Sequence, residues 1–67
     1  MSSLAEGILE QQKRVRELIP KYEACGPTSI YAVTNMKHAL ERTEKAVMSG
    51  DVVEMLKCYK DLEGFHE

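Results

Sequence analysis

No apolar stretch in this 67-residue sequence approaches the roughly 20 consecutive residues that a membrane-spanning helix requires. Its opening, Met1-Ser2-Ser3-Leu4-Ala5-Glu6, meets an acid at once and has neither a basic n-region nor an apolar h-region, so it is expected not to serve as a secretory signal. Cysteine is scarce: Cys25 and Cys58 are the only two, with no CxxC and no framework spacing. In a reducing cytoplasm, the compartment these absences suggest, both are expected to be small buried or half-buried hydrophobes rather than a disulfide. Histidine is equally scarce. His38 and His66 fall in no HxxxH, HExxH or Cys/His cluster, so no metal is expected. The four glycines are scattered and form no phosphate-cradling loop, and no cofactor is expected.

Catalytic machinery is missing too. Cys25 as a nucleophile would need a histidine base and an orienting group. Near a helix C-terminus it also lacks the electropositive setting that favours a thiolate. The carboxylates sit where helix-surface partners or caps belong, and a chain this short has little volume to enclose an acid/base pair. No enzymatic activity is expected.

Charge of one sign is also lacking. Nine basic residues against eleven acidic ones give a net charge of −2, which excludes a strong whole-molecule nucleic-acid footprint. A local patch remains open. Lys13, Arg14, Arg16 and Lys21 are the candidate residues, although Glu6, Glu10, Glu17 and Glu23 share their segment. From Asp51 onward five acids face only Lys57 and Lys60. That acidity argues against reading the last two segments as a DNA-binding helix-turn-helix, because Asp51, Glu54, Asp61 and Glu63 would repel a phosphate backbone.

What the sequence does have is helical periodicity and clear punctuation. Ser3-Leu4-Ala5-Glu6 has the form of a capping box. Leu4, Ile8, Gln11, Val15, Leu18, Tyr22 and Cys25 then recur in a 4-3 series, a heptad seam widened by Leu9 and Ile19. Glu10/Arg14 and Glu17/Lys21 are i,i+4 pairs in the favourable order. Pro20 falls opposite the seam, where a freed carbonyl can be hydrated. The reading is a kink with helix continuing to about Cys25, and the rival ends one helix at Ile19 and begins another at Pro20. Gly26-Pro27 stops the element, with glycine suited to a left-handed cap, and Thr28 or Ser29 can cap the next helix. That helix carries Ile30, Val33, Met36, Leu40 and Val47, with Thr43 in the seam, Ala32, Ala39 and Ala46 alongside, and a Glu41/Lys45 pair. Ser49-Gly50-Asp51 is the sharper break: glycine ends one helix and aspartate caps another, forcing an antiparallel hairpin. Val52, Met55, Leu56, Tyr59 and Leu62 line one face of the last helix, which Gly64 ends, leaving Phe65-His66-Glu67 as a tail with His66 solvated. No strand pattern is present.

The expectation is a single all-α domain over residues 1–67, with helices at about 3–25, 29–48 and 52–64 in an antiparallel up-down-up bundle. The third helix is too short to cover the other two, which leaves Ile8, Leu9 and Val15 short of cover. A chain this small hides only about 60% of its unfolded surface, and oligomerisation is a usual remedy. A homodimer is therefore expected, through Leu4, Ile8, Gln11, Val15 and Leu18 with Met36 and Leu40, and Gln11 could fix its register. The four methionines can be core filling or an adaptable binding groove, with core the plainer account.

The stretches ILEQQKRVRELIPKYEACGP and AVMSGDVVEMLKCYKDLEGF resemble short proteins encoded by temperate phages and prophages. In that group a QQ.RVREL first helix is followed by a Gly-Pro break and a SGDVV.M...Y..L close. The resemblance covers nearly the whole chain, but its motifs are structural punctuation. It implies a bacterial cytoplasmic setting and an accessory, non-virion role, and it carries over no functional residues. The function expected is a non-enzymatic helical protein-interaction module that modulates a host or phage protein. The alternative is a nucleic-acid-associated regulator using the basic cluster on paired first helices.

Overall fold

A computed structural model describes residues 3–66 of the chain. Three helices follow one another in it: α1 (Leu4–Glu23), α2 (Ile30–Ser49) and α3 (Val52–Glu63), with a single 3-10 turn (Pro27–Ser29) leading into α2. No strand occurs among the described residues. The helices pack pairwise as an antiparallel up-down-up bundle, 37 × 22 × 15 Å in extent.

Local chemistry sets most of the boundaries. The Glu6 N–H donates to Ser3 Oγ at 3.2 Å and the Glu54 N–H to Asp51 Oδ1 at 3.2 Å, so both caps occupy orphan donors of a first turn. Gly50 takes the left-handed conformation (φ +72°) and donates back to the Ala46 and Val47 carbonyls, closing α2 within a two-residue connection. The first break is built differently from the cap its sequence suggests. α1 ends at Glu23, ahead of Cys25, and the capping residue is Ala24 in a right-handed conformation, its N–H donating to the Pro20 carbonyl at 3.0 Å. Gly26, at φ +100° and ψ −170°, instead turns the corner two residues later. Ser29 does not cap α2 with its side chain. Its backbone (φ −94°, ψ 0°) belongs to the 3-10 turn rather than to an extended cap. Its hydroxyl donates instead to the Tyr22 and Gly26 carbonyls, which ties the corner to the end of α1.

α1 runs unbroken through Pro20, which is exposed. The carbonyl that proline leaves without a donor is that of Arg16, and on the solvent side water can take its place. The alternative of two separate helices is not the one adopted.

The core joins Val15 and Leu18 of α1, Met36, Ala39 and Leu40 of α2, and Leu62 of α3, with Ile19, Tyr22 and Phe65 packed against them. Ile8 and Cys58 are also buried. Burial of each large side chain contributes about 1.5–3 kcal/mol. Ala39, Thr43 and Ala46 recur at i, i+4 and i+7 on α2, all buried, and their small size lets a neighbouring helix lie close. The Thr43 hydroxyl is satisfied within its own helix, donating to the Ala39 carbonyl at 2.6 Å. At Gly7 the packing is closer still, since a Cβ there would stand 2.9 Å from Cε2 of Tyr59.

Two expectations about cover need correction. Ile8 and Val15 are fully buried, and only Leu9 of that trio is exposed. Val15 packs in one cluster with Met36 and Leu40 of α2 and Leu62 of α3, and the chain beyond Gly64 lengthens the third arm. Tyr59 reaches the first turns of α1 over Gly7, and the tail beyond Gly64 continues along α1. Arg14 donates to the Leu62 and Phe65 carbonyls, Tyr22 donates through its hydroxyl to the His66 carbonyl, and Phe65 packs on the core. The tail is thus part of the bundle, with the His66 side chain exposed as expected and Glu67 outside the described residues. The expected apolar face of α3 is also divided. Cys58 and Leu62 are buried and Met55 and Tyr59 half-buried, while Val52 and Leu56 are exposed. Of the cysteines, Cys58 is buried but Cys25 is exposed, its Sγ against the Lys21 carbonyl, and both are free thiols.

Candidate interaction surface

The seven residues expected to form a self-association face are placed mostly inside. Ile8, Val15, Leu18, Met36 and Leu40 are buried within the single chain, and Leu4 and Gln11 are half-buried. The seam is closed by α2 and α3, so it is a core and not a free surface. Gln11 does not lie unpartnered in it: its Oε1 accepts from Arg14 Nε at 2.9 Å. The buried amide is that of the next residue, Gln12, only 4% exposed.

The basic cluster is likewise put to structural use. Arg14 is half-buried, with Nη1 and Nη2 each 2.6 Å from the carbonyls of Phe65 and Leu62. A guanidinium at the C-terminal end of α3 satisfies carbonyls that have no helical donor and meets the negative end of the helix dipole. It is drawn there and not to Glu10. Arg16 pairs across to Glu44 of α2 at 3.3 Å. Lys13 and Lys21 are exposed, and Lys21 has a partner of its own. The four residues do not stand together as one unengaged patch.

Elsewhere the charges also knit helices together. Arg42 of α2 lies 3.5 Å from Glu54 and 3.6 Å from Asp61, spanning two turns of α3, and the Glu41/Lys45 pair closes at 3.9 Å. Exposed pairs of this kind contribute at most about 1 kcal/mol. His38 is exposed beside Asn35, Arg42 and Asp61. No three His, Cys, Asp or Glu side chains among the described residues converge as a metal site, and no described helix is long and apolar enough to cross a membrane.

The surface that stands out is apolar and lies at one end of the bundle. Among the described residues, six of the eight large exposed apolar side chains, Leu9, Val47, Met48, Val52, Val53 and Leu56, belong to the turns around Ser49-Gly50-Asp51 and the neighbouring start of α1. They fall on two flanks. Ala5, Ile8, Leu9 and Gln12 of α1 and Glu44, Val47 and Met48 of α2 line a groove of about 270 Å³. On α3, Val52 and Leu56 share a helical face with Tyr59, which rests on Gly7, so they extend from the other side of α1. Ile30 and Tyr31 are exposed at the opposite end.

Gln12 was legible in principle, since it lies four residues after Ile8 and three before Val15. Met48 carried no signal of its own, because its position on α2 reads equally as the last core turn. No family model matches this chain, and neither a curated protein nor a solved structure matches it.

Proposed function

We propose that this chain is a small helical protein-interaction module without catalytic activity, working as a homodimer in the bacterial cytoplasm. In this reading it is a phage or prophage accessory factor that modulates a host or phage protein. The observation that carries the interaction reading is the gathering of six large apolar side chains at the turn end of the bundle. Scattered singly, such residues mean little; here Leu9, Val47 and Met48 gather along one groove, and Val52, Val53 and Leu56 gather at the start of α3. Met48, 87% exposed, adds the adaptable thioether side chain that binding surfaces favour. The resemblance to phage-encoded proteins supports the setting, and nothing else does.

The exposed face of α3, Val52, Val53 and Leu56, offers the second protein an apolar stripe flanked by Lys57 and Lys60. Capture from a lysate of the phage-carrying host, with immobilised wild type beside a Leu56→Lys variant, tests this reading. One retained protein that the variant loses is the expected result. Retention of no protein by the wild type, or equal retention by both, contradicts it.

The nucleic-acid alternative draws no support from the geometry, because Arg14 is held by the Leu62 and Phe65 carbonyls and Arg16 lies beside the acidic Glu44.

A further inference from the structure

α3 carries its charges unevenly around its axis. Two of its acids, Glu54 and Asp61, are turned toward α2, where Arg42 stands 3.5 Å and 3.6 Å from them. Its two cations, Lys57 and Lys60, are exposed and make no hydrogen bond or ion pair with any described residue. The segment from Asp51 onward is acidic in sum, but the outward face of its helix is not.

Residues four apart lie above one another on a helix. Val52, Leu56 and Lys60 therefore form one row, and Val53 and Lys57 form a second row beside it. Neither row is used by the bundle. Val52, Val53 and Leu56 are 58%, 63% and 48% exposed, and the buried residues of α3, Cys58 and Leu62, lie on the opposite side. Each row begins apolar and then reaches an ammonium group. The face is apolar over its first half and basic over its second, and Glu63, one turn beyond Lys60, bounds it.

Two adjacent rows of this kind enclose the shallow groove into which a ridge of another helix packs. The 12 residues of α3 offer about 18 Å of it, roughly three turns of a partner helix. Among the described residues there is no sheet edge to take up an extended strand. Charge then selects the flanks of the partner. Covering Val53 and Leu56 draws Lys57 and Lys60 partly out of water, and an ammonium group so placed needs a carboxylate in return. A segment flanked by lysine or arginine is repelled there. An anionic membrane is a poorer complement, because it meets Asp51 and Glu63 along with the lysines. A helical peptide sets its carboxylates opposite Lys57 and Lys60 alone.

We propose that the outward face of α3 docks an acidic amphipathic helix of a partner protein, its apolar stripe on Val52, Val53 and Leu56 and its carboxylates against Lys57 and Lys60. The proposal rests on the reading of this chain as a protein-interaction module and deepens it by naming the chemistry of the partner.

The test is a selection on the immobilised full chain from a displayed library of helical peptides, their apolar stripe fixed and their flanking positions randomised. Helical circular dichroism is recorded for every variant. Binders are expected to be enriched in Asp and Glu at the flanks, and the Lys57→Glu/Lys60→Glu variant is expected to select Lys and Arg instead. A synthetic copy of the leading binder, followed by fluorescence anisotropy, is expected to bind at least about tenfold more weakly to Lys57→Glu/Lys60→Glu and to Leu56→Lys. Tyr31→Ser, at the far end, is expected to leave its affinity within about twofold. Binders without acidic flanks that Leu56→Lys still abolishes, or equal affinity for the charge-reversed chain, overturn the acidic partner and leave α3 as the interaction face. Binders indifferent to Leu56→Lys, or no binders at all, overturn both. Pelleting of the wild type with phosphatidylglycerol vesicles, lost in Lys57→Glu/Lys60→Glu, assigns the face to a membrane and also overturns the proposal.

Discussion

Arg14 and Leu62 are 48 residues apart, yet the guanidinium of one donates to the backbone carbonyl of the other at 2.6 Å. With the second bond to Phe65, this single side chain of α1 closes the C-terminal end of α3 and fixes the tail that completes the bundle. A residue that reads in the sequence as part of a basic patch is a structural clamp.

Removing that clamp has a measurable consequence. Hydrogen bonds to a charged group are worth about 1.5–3 kcal/mol, and two are lost together with the Gln11 contact. Arg14→Met, which keeps an apolar stem, is expected to lower unfolding free energy by about 3 kcal/mol or more in urea denaturation. Loss of less than about 0.5 kcal/mol, the range of an ordinary surface change, contradicts the clamp.

The same geometry predicts weak behaviour toward nucleic acid. With Arg14 and Arg16 engaged, a mobility-shift titration against duplex DNA and single-stranded RNA is expected to show no salt-sensitive binding at micromolar protein. A shift that weakens steeply as salt rises would restore the phosphate-contact alternative.

Gly7 and Tyr59 are expected to be coupled. Alanine is about 1 kcal/mol better than glycine in a helix interior. Here its Cβ meets the Tyr59 ring at 2.9 Å, so the ring must move. Gly7→Ala alone is therefore expected to gain less than that amount or to lose stability, and to show the full gain only in a Tyr59→Ala background. A double-mutant cycle with no coupling energy contradicts the close approach.

The hairpin between α2 and α3 depends on Gly50. At φ +72° an L side chain is strained by about 1–2 kcal/mol. Gly50→Ala is expected to destabilise by that amount, and Asp51→Ala by about 1 kcal/mol through loss of the Glu54 cap. Thermal unfolding followed by circular dichroism reads both. Neutral substitutions at the two positions would mean that the turn is held by other contacts.

The helices and both breaks were legible in the sequence because their causes are local. Ser3, Gly50 and Asp51 act on groups within four residues, and the apolar spacing marks core stripes without reference to a partner. The site was less legible. The 4-3 seam names Gln11 where the structure buries Gln12, and one residue on a helix is a rotation of about 100°. Packing against two neighbours, α2 and α3, sets that rotation, and a heptad frame written for one partner does not contain it. The cover over Ile8 and Val15 was hidden for another reason. Val15 is packed by residues of all three helices, and the tail that lengthens the third arm is held by contacts that span about 50 residues and leave no periodic trace.

The most direct measurement of the central claim is the mass of the chain in solution at micromolar concentration. The account predicts twice 7.6 kDa, a homodimer. A mass of 7.6 kDa contradicts it.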